Sequence, residues 1–150
     1  MEYIFSENAP KAIGPYSQAV KVKDTLYLSG VMPINPETNS LVESDITTQA
    51  NQVIKNIDAI LKEAGMDANN VVKTTCFISD MEYFAALNEV YAKYFVSKPA
   101  RSCVAVKSLP KNALIEIEVI AIQYNLSESW VIMASIAGNE LWKVNIIRKE

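Results

Sequence analysis

Residues 45 to 65 constrain the fold of this chain more than any other stretch. Ala50, Val53, Ile54, Ile57, Ile60, Leu61 and Ala64 recur at the i, i+3, i+4, i+7 spacing of a helix with one apolar stripe. Asp45 or Thr47 supplies a capping oxygen at its start, and Gly65 stands where a C′ glycine closes a helix. Such a helix must bury its stripe against a second layer. Strand-like runs on either side offer that layer.

Those runs cover residues 3–5, 17–22, 25–29, 71–79, 101–106 and 114–122, with Lys23-Asp24 and Leu109-Pro110-Lys111-Asn112 as turns. Residues 6–15 and 30–43 carry the Pro, Gly and Asn of loops. A second helix starts at the N-cap Asp80, aligns Phe84, Leu87, Tyr91 and Phe95 on one face, and stops before Pro99. The order predicts an α+β fold, a mixed β-sheet with two helices packed on one face. Ala19, Leu26, Leu28, Thr74 and Cys76 are the candidates for the opposite, uncovered face. Covering that face with further copies of the chain predicts an oligomer.

The chain divides into a domain over residues 1–124 and an appended segment, 125–150. The segment carries both tryptophans, Trp130 and Trp142, and reads as an accessory β-hairpin around Gly138-Asn139-Glu140, or as read-through sequence. At 150 residues, 50% of them hydrophobic, the chain can bury roughly 70% of its unfolded surface without staples. Cys76 and Cys103 lie in apolar runs and read as free thiols in a reducing compartment. The acidic start lacks a leader's layout, and no apolar run approaches the ~18 residues of a membrane span. A soluble, cytoplasmic protein is expected.

Histidine is absent, which removes Ser–His–Asp triads, Cys–His pairs and histidine-ligated zinc. Proton chemistry near neutral pH falls to a carboxylate, Cys, Tyr, Lys or an oriented water. Against 12 lysines stand two arginines, Arg101 and Arg148. Arg101 opens a strand, and its planar fork suits a carboxylate in a way an ammonium does not. It reads either as a ligand-binding arginine or as an ordinary salt bridge. In Ile115-Glu116-Ile117-Glu118-Val119 the glutamates share one face. Antiparallel pairing through the Pro110 turn would bring Glu116 beside Arg101, as salt-bridge partner or as a base that orients water. Cys103 shares a face with Arg101 and reads as a wall residue, or less well as a nucleophile. Tyr16 is a pocket aromatic or a core plug. Ser29 and Gly30 end a strand where a hydroxyl and a backbone N–H meet either a ligand or a turn. Asn88 lies beside an apolar helical stripe and needs a partner.

These residues sit in blocks that resemble the RidA (reactive intermediate deaminase) family, whose members are also described as translation initiation inhibitors or L-PSP endoribonucleases. The blocks are Ile13-Gly14-Pro15-Tyr16-Ser17-Gln18-Ala19, Leu28-Ser29-Gly30, Pro99-Ala100-Arg101-Ser102-Cys103-Val104, and Leu109-Pro110-Lys111 with Ile115-Glu116-Ile117-Glu118. The resemblance spans residues 1 to about 123 and leaves the final segment outside. It implies a chorismate-mutase-like fold and a homotrimer with active sites between subunits. The implied reaction is hydrolysis of 2-imino or 2-amino-enoate acids to 2-oxo acids and ammonia, with no cofactor and no metal. In family terms Arg101 binds the substrate carboxylate and Glu116 positions the attacking water. Tyr16, Ser29, Gly30, Asn88 and Cys103 line the pocket. The competing readings are a non-catalytic binder of 2-oxo acids, or a chaperone-like protein, and a ribonuclease. A net charge of −3 speaks against the last of these and makes nucleic acid an unlikely partner.

Overall fold

In the computed structural model, which describes residues 1–124, the strands assemble into one six-stranded sheet and a separate two-stranded hairpin. In chain order the strands are β1 (Glu2–Ile4), β2 (Ala19–Val22), β3 (Thr25–Val31), β4 (Ile34–Asn35), β5 (Ser40–Leu41), β6 (Val71–Ile78), β7 (Ala100–Ala105) and β8 (Ile115–Ile122). Helix α1 (Ile46–Glu63) joins β5 to β6, and α2 (Phe84–Tyr94) joins β6 to β7. The large sheet runs β1-β2-β3-β8-β6-β7. All its pairings are antiparallel except β6–β7. The last strand, β8, is therefore inserted between β3 and β6, and the two helices cross over to the same face. The hairpin expected over residues 130–147 lies outside the described residues.

The predicted helix 1 is present with both its signals. Asp45 caps it, accepting from the Thr48 N–H at 2.8 Å. At its end the Gly65 N–H donates to the Lys62 carbonyl and the Met66 N–H to the Leu61 carbonyl, with Gly65 at φ +71°. This is the Schellman closure that a left-handed glycine permits. The second helix begins later than expected, because Asp80 caps a 3-10 turn (Met81–Tyr83) that leads into α2.

Three expectations are corrected. Residues 30–43 are not all loop: β3 continues to Val31 and the β4–β5 hairpin follows. The strands that flank Pro110 do not pair, because β6 lies between β7 and β8. And the sheet faces are exchanged. Ala19, Leu26, Leu28, Thr74 and Cys76 are buried in the single chain, under the helices. The uncovered face carries Tyr27 and Val104, 48% and 45% exposed, together with the half-buried Phe77 and Ile120. Alternation separates the two faces correctly but does not say which one the helices cover.

Along β8 the alternation is complete: Ile115, Ile117, Val119 and Ala121 are buried, and Glu116, Glu118, Ile120 and Ile122 are not. The α1 stripe of Ala50, Val53, Ile57 and Leu61 is fully covered by this layer. Ile57→Ala leaves a hole at its centre, so denaturant unfolding should show a loss of about 2–5 kcal/mol with the m-value unchanged. A loss under 1 kcal/mol would mean that the helix does not seal the core there.

Candidate active site

Most of the residues singled out from sequence fall into two groups in the chain. Tyr16, Ser29, Gly30 and Glu116 border a cavity of about 350 Å³, walled also by Ile13, Met32, Pro110 and Lys111. Asn88 and Arg101 border a separate open groove on the outer side of α2. The alternation explains the division. Arg101 is level with Thr74 on β6, and Thr74 faces α2, sharing a 2.7 Å hydrogen bond with the Tyr91 hydroxyl. Glu116 is level with Phe77, on the opposite face and in a different strand. Arg101 and Glu116 of one chain are therefore not neighbours, which corrects the pairing expected through the Pro110 turn.

Arg101 is held in place by α2. Its guanidinium donates to Asn88 Oδ1 at 2.8 Å and lies over the Tyr91 ring, 4.7 Å from the centroid, with Phe84 at 5.5 Å. Stacking on rings and one fixed hydrogen bond hold the fork without neutralising it. Among the described residues no carboxylate forms an ion pair with it. The salt-bridge alternative thus fails among the described residues, and the remaining N–H donors can meet a planar anion. Asn88 finds its partner in this arginine.

Cys103 lies two residues along the same face of β7, half-buried. Burial raises its thiol above the ordinary value, and the charge of Arg101 only partly opposes this. A protonated thiol is a weak nucleophile, and Cys103 borders neither the Glu116 cavity nor the Arg101 groove. Cys76, deeper in the sheet, is pushed up to about 12, first by burial and then by Cys103. It is packing.

In the other group Glu116 is the one acidic residue on the cavity wall. Burial raises its carboxyl above the ordinary range, and the neighbouring Glu118 adds to the rise. Among the described residues nothing donates a hydrogen bond to it. Gly30 makes room for it: a Cβ at that position would stand 2.7 Å from Glu116 Cδ and closer still to Oε1. Here glycine is required by a close approach rather than by backbone conformation. Ser29, on the cavity wall, donates its hydroxyl proton to the Ser17 carbonyl at 2.7 Å and so ties β3 to the loop before β2, which leaves its oxygen free only to accept. Tyr16 is half-exposed on the cavity wall and is not a core plug. Lys111, at φ +55°, and Lys11 were not read from sequence as cavity residues. The Leu-Pro-Lys turn was the available signal, since proline ahead of a left-handed residue fixes where the lysine goes.

Comparison with known proteins places the arrangement in context. A family model described as Endoribonuclease L-PSP matches residues 6–123. A RutC family protein of Pyrococcus horikoshii is 55% identical over 121 residues, which cover 80% of this chain and 96% of that protein. A mouse protein named 2-iminobutanoate/2-iminopropanoate deaminase is 48% identical over 121 residues, covering 80% of this chain and 90% of its own. A solved Rid-family structure from Yersinia pestis, described as of unknown function, superposes with a TM-score of 0.80 at 52% identity, covering 81% of this chain and 98% of that one.

The raised carboxyl of Glu116 also bears on stability. A carboxyl with a raised pKa in the folded state penalises folding once it must ionise. The penalty is absent below about pH 4, where the group is neutral both folded and unfolded, and complete above its folded value. Glu116→Gln should therefore raise Tm at pH 7 and not at pH 4. An equal change at both pH values would show that ionisation is not the cause.

Proposed function

We propose that this chain, which belongs to the Endoribonuclease L-PSP family of RutC- and RidA-named proteins, hydrolyses 2-imino acids such as 2-iminobutanoate and 2-iminopropanoate to 2-oxo acids and ammonia. The observation that carries the reading is Arg101: a guanidinium stacked on two rings, fixed by Asn88, and without a carboxylate partner among the described residues. A 2-imino acid offers the planar carboxylate that such a fork grips with two parallel hydrogen bonds. Glu116, ionised in a partly desolvated cavity, takes a proton from a water as that water adds to the imine carbon. The C=N bond becomes a carbinolamine. Proton transfer to its nitrogen expels ammonia, and the carbon keeps the oxygen of the water as a 2-oxo group. The carbon is already electrophilic, so catalysis is mainly orientation of carboxylate and water.

Because Arg101 and Glu116 lie apart in one chain, the complete site takes Arg101, Asn88 and Cys103 from one subunit and Tyr16, Gly30 and Glu116 from its neighbour. The exposed Tyr27 and Val104 supply apolar surface for that contact. A homotrimer built head-to-tail closes three such sites. The sequence similarity to the named mouse deaminase supports the chemistry.

The test uses a threonine dehydratase to generate the imine and semicarbazide to trap what is left unhydrolysed. Arg101→Ala and Arg101→Lys should lower kcat/KM on the order of 100-fold, since charged hydrogen bonds are lost in the first and their planar geometry in the second. Arg101→Ala and Glu116→Gln, each with only a small residual activity alone, should recover about a quarter of wild-type activity when co-refolded, because random assembly of a closed ring restores that share of sites. No recovery would overturn the shared site, and wild-type turnover in Arg101→Ala would overturn the anchor.

The pH profile of kcat/KM provides a further check. Activity requires ionised Glu116, so it should fall as pH drops, with an acidic midpoint above the ordinary glutamate value. That limb should vanish in the residual activity of Glu116→Gln. A limb that persists there belongs to another group.

A further inference from the structure

We infer that three buried side-chain amides, those of Gln18, Gln49 and Asn56, are positioning residues that fix the backbone walls of the Glu116 cavity. They are 6%, 0% and 0% exposed. Each directs its hydrogen bonds to the main chain of a different segment, and each of those segments runs to the cavity.

Gln18 holds the segment that leads to Tyr16. Its Oε1 accepts from the Ser6 N–H at 2.7 Å, and its Nε2 donates to the carbonyls of Ser6, Ala9 and Pro10 at 3.0, 3.2 and 2.8 Å. Asn56, on α1, holds the stretch just after Gly30. Its Nδ2 donates to the carbonyls of Met32 and Ile34 at 3.0 and 2.9 Å, while Gln52 Nε2 donates to its Oδ1 at 2.9 Å. Gln49, two turns earlier on the same face of α1, accepts from the Leu114 N–H at 2.8 Å, two residues before Glu116. The Leu114 carbonyl is taken by the Ser79 N–H, so both main-chain groups of this residue are held.

Gln18 and Asn56 satisfy main-chain groups that no strand partner reaches, but for Gln49 stability alone is not a sufficient reason. Gln49 Nε2 is buried with no partner among the described residues, which is a cost that an apolar side chain would avoid. The amide is explained by its other end, the oxygen that fixes Leu114. The common result is a cavity whose loop walls are tied by side-chain amides where no strand pairing is available, which keeps water away from Glu116 on all but its open side. The charged groups around that carboxyl are Glu118 on its own strand and Lys11 and Lys111 at the cavity border. Lys11 follows Pro10 in the segment that Gln18 holds, but the stretch held by Asn56 carries no charged residue, so loosening the Asn56 clamp acts on Glu116 through hydration.

The readout is the carboxyl of Glu116 itself, titrated by carbon-13 NMR in the full-length protein, and it stands whatever reaction the cavity performs. Asn56→Leu fills the same space and removes both donors. Its Glu116 midpoint should move down toward the ordinary glutamate value as water enters behind Met32. Ile57→Ala, a core change one residue along the same helix, should lower Tm without moving that midpoint. Gln52→Leu leaves Asn56 in place and removes only the bond to its Oδ1, so it should give a smaller shift in the same direction, readable even where Asn56→Leu does not fold. A wild-type midpoint in both clamp variants, or an equal shift in Ile57→Ala, would overturn the assignment.

Discussion

The single-sided cover of the β-sheet governs everything else in this molecule. Both helices lie on one face, so each strand delivers alternate residues to the core and to the open surface. On β8 this rule buries the isoleucines and leaves Glu116 out. On β7, at the sheet edge, it turns Arg101 and Cys103 toward α2. The same alternation that builds the core thus parts the two residues with the most evident chemistry. A site using both needs a second subunit, and the apolar open face is the surface through which one can be joined.

Within that frame, the environment sets the role of each side chain. Stacking and an amide hold the Arg101 guanidinium without supplying a counter-charge. Burial beside Glu118 makes Glu116 a better base than a solvated glutamate. Cys103 lies closer to Arg101 in the fold than Glu116 does, yet burial keeps its thiol protonated. The strand places these groups, and the dielectric around them decides which can act.

Much of the fold was legible because its signals are local. The α1 stripe, the Asp45 cap and the Gly65 closure each lie within a few residues of what they control. Features that depend on distant neighbours were less legible. The β4–β5 hairpin is four residues of strand inside a Pro-rich stretch, too short to show a period. Insertion of β8 between β3 and β6 leaves no mark on either flanking segment. Alternation leaves the interior side open because both faces carry apolar residues, Ala19, Leu28 and Cys76 on one and Tyr27, Phe77 and Val104 on the other.

The sequence by itself determined the elements, the alternation within each strand, the lack of histidine chemistry and, through its family blocks, the identities of the candidate site residues. The tertiary structure decided which face the helices cover, that β6 separates Arg101 from Glu116, and that buried Gln18, Gln49 and Asn56 hold the cavity walls. The physical reason is range. Periodicity and capping are set by neighbours along the chain, whereas strand order, desolvation and long-range hydrogen bonds exist only once segments 20 to 100 residues apart have met.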